Sequence, residues 1–567
     1  MPFFDLIPNE DSIISSGNVG TFEIIVKFNG DIAEIGRALG IETEILSENF
    51  AIFTLTSEQL SLLEQYTEIE AVETPKILTP NIQESLIRSC VADVQKDGKY
   101  NLSGEGVLIS IIDSGIEYTH PDFLNDDGTS RILYMWDQTA QGTPPQGFTG
   151  GAEYNNEQIN SALLSDDPLS VVPEIDFIGH GTAVAGVAAG NGRASGGNNV
   201  GTAPKASLLI VKIGEKGYPS FARSTEIMRA IKYSFDKALE LNMPLVINIS
   251  YGTNDGPHNG KSLFEVYIDS MAEKWKTSIV VASGNEGSAG HHYSGKIFSG
   301  ETQYVEWFYS GKNNSFYAAV WKNFVDTFKV ELILPSGQST GEIVYFDRLR
   351  TYRIGNTKIV INYGQPKFYN TFQEIFFQVS AVSGQIPIGI YKIKIQAEDI
   401  VDGAYDVYLP TVEEVGSETA FTNPDPNSTL TIPSTAQNVI TVGGYNSPMG
   451  TISDFSGRGY TINVVYTKPD LAAPSVDVLS ASVGGGYSVF SGTSIAAPFV
   501  AGAAALLMQW GIVRGNDPFL YAERLKAYLK RGARRSRLIE YPNNQWGYGI
   551  LCVYDTAEEL WIFNGYI

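Results

Sequence analysis

The pattern that most restricts this chain is a set of short, unbroken apolar runs separated by helical stretches. VLISIID (107–113), ASLLIVKI (206–213), PLVINISYG (244–252) and SIVVAS (278–283) lack the polar alternation of a strand with one wet face. Runs of this kind belong to parallel strands covered on both sides. Between the second and third, TEIMRAIKYSFDKALEL has helical periodicity, with a cap near Ser224 or Thr225. The alternation predicts a layered α/β domain. It breaks near residue 292. From Phe298 to Pro410, 22 of 113 residues are aromatic, against 11% for the whole chain. Eight runs there read as strands: YVEWFY, SFYAAVWK, FKVELILP, EIVYF, KIVINY, EIFFQVSAV, IYKIKIQ and AYDVYLP. No helical pattern intervenes, so this stretch is expected to be an all-β sandwich of jelly-roll type. The α/β pattern resumes after about residue 425 with NVITVGGY. SIAAPFVAGAAALLMQW then forms an apolar helix that must be buried.

The N-terminal part has a different character. TFEIIVKF and NFAIFTLT read as strands, while DIAEIGRALG (ended by Gly40) and SEQLSLLEQY (capped by Ser57) read as helices. AVETPKILTP leaves this small α+β unit extended, and a short helix is expected around Ile82 to Val94. The boundaries expected are 1–83 for the N-terminal unit (junction within 79–95), 84–292 and 426–567 for the α/β domain, and 293–425 for the β-insert. A length of 567 residues suits this division. The net charge of −24 argues against nucleic acid as a partner and against anionic lipid. No run approaches a transmembrane length, and MPFFDLIPNEDSII lacks the basic and apolar regions of a signal peptide. The chain therefore reads as intracellular in type. Cys90 and Cys552 are too few for a disulfide framework and read as ordinary thiols.

Three segments combine a reactive side chain with glycines. In IIDSGIEYTHPDF, Asp113 stands at the carboxyl end of a buried strand, where ligands of open α/β sheets gather. In DFIGHGTAVAGVAAG, His180 lies between glycines just before a small-residue helix. In FSGTSIAAPFVAGAAALL, Ser494 enters a buried helix whose first amides can stabilise an oxyanion. Taken singly, each has an ordinary structural explanation: a turn carboxylate, a core histidine, an N-cap serine. Together they offer a nucleophile, its base and the carboxylate that fixes the base's tautomer. VVASGNEGS adds Asn285 at another strand end, with an amide able to donate to the oxyanion.

DSG at 113–115, GHGT at 179–182, SGN at 283–285 and GTSIAAP at 492–498 resemble, in this order, the motifs of the subtilisin-type (subtilase) serine proteases. The resemblance covers about residues 100–292 and 425–556 and implies a subtilisin-like parallel-sheet fold. It implies Asp113 as orienter, His180 as general base then acid, Ser494 as nucleophile and Asn285 as oxyanion donor. It further implies that Ser250, Tyr251 and Gly252 form one side of a peptide cleft. Ala282, Ser283 and Gly284 would line the S1 pocket opposite, with Thr493 beside the nucleophile. Residues 1 to about 83 resemble an inhibitory chaperone prodomain.

The β-insert between Asn285 and Ser494, the intact triad and the short prodomain are similar to the clostridial Csp germination proteases. That likeness implies a spore location and a cortex-lytic enzyme zymogen as substrate. The prodomain reading places residues near Thr79 to Gln95 in the cleft and so predicts self-processing there, and it leaves open whether the cleaved prodomain stays bound by its apolar face. The insert is expected to rigidify the enzyme rather than to meet the scissile peptide. A general degradative subtilase and a non-catalytic signalling protein on the same scaffold are the alternatives. No cofactor is expected. Asp122 in HPDF matches a calcium-binding position of the family, but the partner loop RASGGNNVGTAP departs from it. His291 and His292 read as neighbours on a surface loop, and His120 as packing within its turn.

Overall fold

The computed structural model describes residues 21–73, 82–96, 98–214, 221–460 and 467–563. The chain divides into two compact units between Thr79 and Pro80. The first unit carries β1 (Phe22–Phe28), α1 (Ile32–Leu39), β2 (Glu42–Ile45), β3 (Phe50–Leu55), α2 (Ser57–Leu62) and β4 (Ile69–Glu73). Its antiparallel sheet has the order β2-β3-β1-β4. Alternate residues of β3 are buried, and Ile24, Val26, Phe53, Leu55 and Leu60 form the core. Gly40 closes α1 with φ +63°, as its sequence position suggested. The cap of α2 is Thr56, not Ser57: its hydroxyl accepts from Gln59 N at 3.3 Å, and Gln59 Oε1 accepts from Thr56 N at 2.8 Å. Two short strands escaped the sequence reading. Of AVETPKILTP, residues 71–73 belong to β4, and the rest lies outside the described residues.

The second unit opens with α3 (Ile82–Arg88) and α4 (Val91–Lys96) in place of one helix. Its α/β part contains β5 (Leu108–Asp113), β6 (Ile132–Asp137), β7 (Ala152–Asn155), α5 (Asn156–Leu163), α6 (His180–Ala189), β8 (Ser207–Lys212), α7 (Ser224–Leu241), β9 (Leu245–Ile249), α8 (Leu263–Ala272) and β10 (Thr277–Ala282). All six residues of β5 and of β10, and all five of β9, are buried, which is why these runs carry no alternation.

The insert is a sandwich of two antiparallel sheets around one shared apolar core. Its elements are β11 (His292–Lys296), β12 (Thr302–Tyr309), β13 (Ser315–Asn323), β14 (Phe328–Ile333), β15 (Leu349–Ile354), β16 (Thr357–Tyr363), β17 (Phe372–Ala381), β18 (Gly389–Ala397), β19 (Ala404–Tyr408), the single turn α9 (Val412–Val415) and β20 (Ala420–Phe421). EIVYF is not a strand. Only Ile343 bridges to Val330, and a 3-10 turn follows over Tyr345–Asp347. The strand lies in LRTYRI, whose mostly exposed side chains gave no apolar signal.

The α/β part then resumes with β21 (Ile440–Asn446), β22 (Thr451–Ile452), β23 (Leu471–Pro474), the hairpin β24 (Val478–Ser482) and β25 (Gly486–Phe490), α10 (Thr493–Met508), α11 (Ala522–Arg531) and α12 (Val553–Phe563). The main sheet has the order β22-β21-β10-β9-β5-β8-β6-β7, with β23 beside β21. Its central pairs are parallel, so β5, β9 and β10 end on the same edge. The helix that runs from Thr493 to Val513 is, among the described residues, the one long and apolar enough to cross a membrane. It is 94% buried and forms the centre of the α/β core.

Cys90 and Cys552 are bonded to each other, with Cα atoms 4.9 Å apart. The reading of both as ordinary thiols is thereby corrected. Cys90 sits in the turn between α3 and α4, Cys552 just before α12, and Val553 N donates to Ser89 O at 2.9 Å beside them. Their 462-residue separation concealed the pairing.

Candidate active site

Asp113 ends β5 and is buried; its Oδ1 receives Ser114 N at 2.8 Å and faces His180 Nδ1 at 2.7 Å. His180 is the first residue of α6, after Gly179 with φ +77°. The approach depends on Gly181: a Cβ there would lie 2.1 Å from Gly115 O and 3.2 Å from Asp113 Cβ. Only glycine lets the helix start come so close to the strand end. Burial disfavours the charged imidazolium, but Asp113, with Asp176 and Glu413 farther off, outweighs this and raises the proton affinity of His180.

Asp176 was not singled out from the sequence. It is 2% exposed and makes four hydrogen bonds. Oδ1 accepts from Ser114 Oγ (2.8 Å) and Gly179 N (2.9 Å), and Oδ2 from Thr182 N (2.9 Å) and Thr182 Oγ1 (2.7 Å). It ties the turn that carries Asp113 to the turn that carries His180. A carboxylate four residues before the histidine of GHGT was the available signal. Glu174, also buried, accepts from Ile116 N and lies 3.6 Å from Lys212 Nζ. Burial pushes its carboxyl up to about 8, against the opposing pull of Lys212.

Ser494 occupies the second position of α10, whose N-terminus faces the ends of β9 and β10, and Ser250 Oγ donates to Ser494 O at 3.0 Å. Asn285 follows β10. Its Oδ1 accepts from Thr493 N and Thr493 Oγ1, both at 3.1 Å, which turns Nδ2 toward the cleft. His180, Ser494 and Asn285 share one cleft of about 420 Å³ with Ser250, Tyr251, Gly252, Ala282, Gly284 and Thr493. Ser283 does not line it. Alternation at the strand end turns this fully buried side chain away from its neighbours, and its hydroxyl finds no protein partner.

The cleft also contains residues the sequence reading left out. Thr431 is wedged between its two walls: a Cβ on Gly252 would meet Thr431 Oγ1 at 2.2 Å, and one on Gly284 would meet it at 2.5 Å. Thr411, Glu413 and Glu414, from the segment that leaves the β-sandwich, form a further side. The expectation that the insert stays clear of the scissile peptide is therefore corrected. Its exit turn lies in the cleft because Val412 N is held by Glu286 Oε1 (2.9 Å), one residue beyond Asn285.

The other candidates have structural partners. Both oxygens of Asp122 are engaged, by Ala194 N (2.8 Å) and Tyr487 Oη (2.7 Å), and Arg131 donates to its carbonyl. A carboxylate so occupied, next to a buried guanidinium, does not fit a calcium cradle. His120 is packed as expected, with Nδ1 accepting from Asp122 N and Nε2 at 2.9 Å from Gly486 O. His291 and His292 are not on the surface: both are 1% exposed. They diverge, His291 to Glu286 (2.6 Å) and His292 to Asp406 (2.9 Å), where it stacks on Tyr408.

Residues 104–317 and 416–549 match the subtilase family, and residues 10–76 match the Csp protease B prodomain. The chain belongs to the subtilase family. This subtilase is 39% identical to the Clostridium perfringens CspB protease, whose structure superposes with a TM-score of 0.78 over 84% of this chain and 97% of that one. It is 25% identical over 82% of its length to the PI-type proteinase of Lactococcus lactis subsp. cremoris. A PII-type proteinase of Lacticaseibacillus paracasei is 26% identical over 81%. The subtilase spans about a quarter of the length of these curated relatives. The subtilase fold, the Csp-type prodomain and an added all-β domain thus agree with the sequence reading.

Proposed function

We propose that the chain is a serine endopeptidase that processes its own N-terminal unit and then makes one limited cut in a spore cortex-lytic zymogen. The short Asp113–His180 hydrogen bond, in one cleft with Ser494 and Asn285, carries this reading. Asp113 fixes the proton on Nδ1 and leaves Nε2 to take the Ser494 Oγ proton as the oxygen attacks the scissile carbonyl carbon. The electron pair of the broken C=O π bond moves to oxygen, toward Asn285 Nδ2 and the first amides of α10. His180 then returns the proton to the leaving amine, and water hydrolyses the acyl ester by the same steps in reverse. Asp176 acts by positioning. The spore role rests on the likeness to CspB and on the Csp-type prodomain. The processing bond is proposed within 79–95; residues 79–81 lie outside the described residues.

Purified protein should appear as two fragments and its Ser494→Ala variant as one full-length chain. With spore extract and unfolded casein as substrates, a single cut in a lytic zymogen is expected. Cleavage of the Ser494→Ala chain at the same bond refutes the nucleophile, and rapid casein digestion without a preferred spore substrate supports the degradative alternative.

A further inference from the structure

Asn285 Nδ2, aimed at the cleft by the two Thr493 contacts on Oδ1, does not face an empty space. It meets Glu413 Oε1 at 3.3 Å. We propose that Glu413 closes the oxyanion donor in the resting enzyme, so that acyl transfer requires this carboxylate to be displaced. The inference rests on the protease reading above and adds a residue of the inserted domain to it.

The orientation of Asn285 does not need Glu413. Thr493 N and Oγ1 both donate to Oδ1, and these two bonds alone decide which end of the amide faces the substrate. What Glu413 does is occupy the donor. Nδ2 carries two N–H bonds, but a carboxylate on one and a tetrahedral oxyanion on the other would bring two anions together at a single nitrogen in the cleft, and their repulsion disfavours joint occupancy. The side chain is free to leave: Glu413 is exposed, and no ion pair holds its carboxylate among the described residues. Its backbone is not free. Val412 N is bound to Glu286, Lys312 Nζ donates to Glu413 O at 2.7 Å, and Val415 is buried in the sandwich core. The inserted domain thus fixes the point from which the carboxylate reaches Asn285, and only the side-chain torsions move. A substrate that fills the cleft takes the amide; a peptide that binds weakly leaves it closed.

The test compares a peptide aldehyde with the matching peptide alcohol on the wild type, Glu413→Ala and Glu413→Gln. Ser494 Oγ adds to the aldehyde carbon, its proton passes to His180, and the former carbonyl oxygen becomes an oxyanion in search of a donor. The alcohol fills the same cleft without forming one. We expect Glu413→Ala to tighten the aldehyde by roughly tenfold or more and to leave the alcohol within about twofold, with Glu413→Gln between. In an Asn285→Ala background the gain should vanish. Unchanged or weaker aldehyde binding in Glu413→Ala refutes the closed donor, as does a gain that survives loss of Asn285. If the aldehyde binds no better than the alcohol to any variant, and Ser494→Ala changes neither, the protease reading itself falls, which is a different failure.

Discussion

Replacing Asp176 by asparagine tests whether this carboxylate holds the catalytic turns together. Asparagine keeps the shape but loses the charge, and it puts an NH2 where one oxygen had accepted two hydrogen bonds. Whichever way the amide points, one backbone N–H, that of Gly179 or of Thr182, faces another donor, while the hydroxyl beside it, of Ser114 or Thr182, can turn to accept from the new NH2. Bonds to a buried charged group contribute about 1.5–3 kcal/mol each. The one N–H bond that must be lost therefore amounts to about 1.5–3 kcal/mol, at the start of α6. The protein has several domains, so a single unfolding free energy is a poor measure. Hydrogen exchange reads the local value instead. At about 1.4 kcal/mol per factor of ten, the amide left facing the NH2, that of Gly179 or of Thr182, should exchange at least about tenfold faster in Asp176→Asn. Measurements belong in the Ser494→Ala background, where self-digestion is absent. A change of less than about threefold in the peptide covering 177–186 shows that the clamp contributes little, and the argument from its four bonds is then wrong.

Asn285→Ala should slow cleavage by about 10²–10³, the loss seen for the corresponding donor in subtilisin, with KM little changed; an equal loss in KM alone contradicts the oxyanion role. Replacing Cys90 and Cys552 by serine should cost about 2–4 kcal/mol, read as a lower melting temperature of the second unit. The same disulfide sorts the processing bond: a cut after Cys90 leaves the fragments joined on a non-reducing gel, and a cut before it lets them separate. Glu174 binds its proton up to about 8 when folded, against a reference value of 4.5. The folded state therefore holds more protons between these values, and stability falls as pH rises through that window. Glu174→Gln should flatten this decline, and an unchanged pH profile of the melting temperature contradicts the assignment.

The parts of this structure legible in sequence are those encoded locally. β5, β8, β9, β10 and α10 announce themselves because burial on all sides leaves mostly apolar runs without polar alternation. Asp113, His180, Asn285 and Ser494 are flanked by glycines that the close approach of strand ends and helix starts demands. Asp176 was missed because an aspartate in a loop looks the same whether it is solvated or makes four buried bonds. Glu413 was missed for a different reason: it reaches Asn285 across 128 residues of an inserted domain that reads as a separate fold. His291 and His292 looked like a polar loop, yet one meets a buried glutamate and the other starts a strand. Asp176 to Ser114, Glu413 to Asn285 and His292 to Asp406 are contacts across 62, 128 and 114 residues, and no local pattern reports them.

The Cys90–Cys552 bond makes the catalytic unit a closed ring of chain. Lys99 Nζ and Tyr100 Oη both bind Glu558 Oε1 at 2.6 Å, so the end of the ring that starts at Cys90 is also fastened to α12 by polar contacts. A ring has no free end from which to unravel, and fraying at residue 82 or 563 stops at the crosslink. A single nick in an exposed loop of the β-sandwich opens the ring but releases nothing. One accidental cleavage there is then a survivable event.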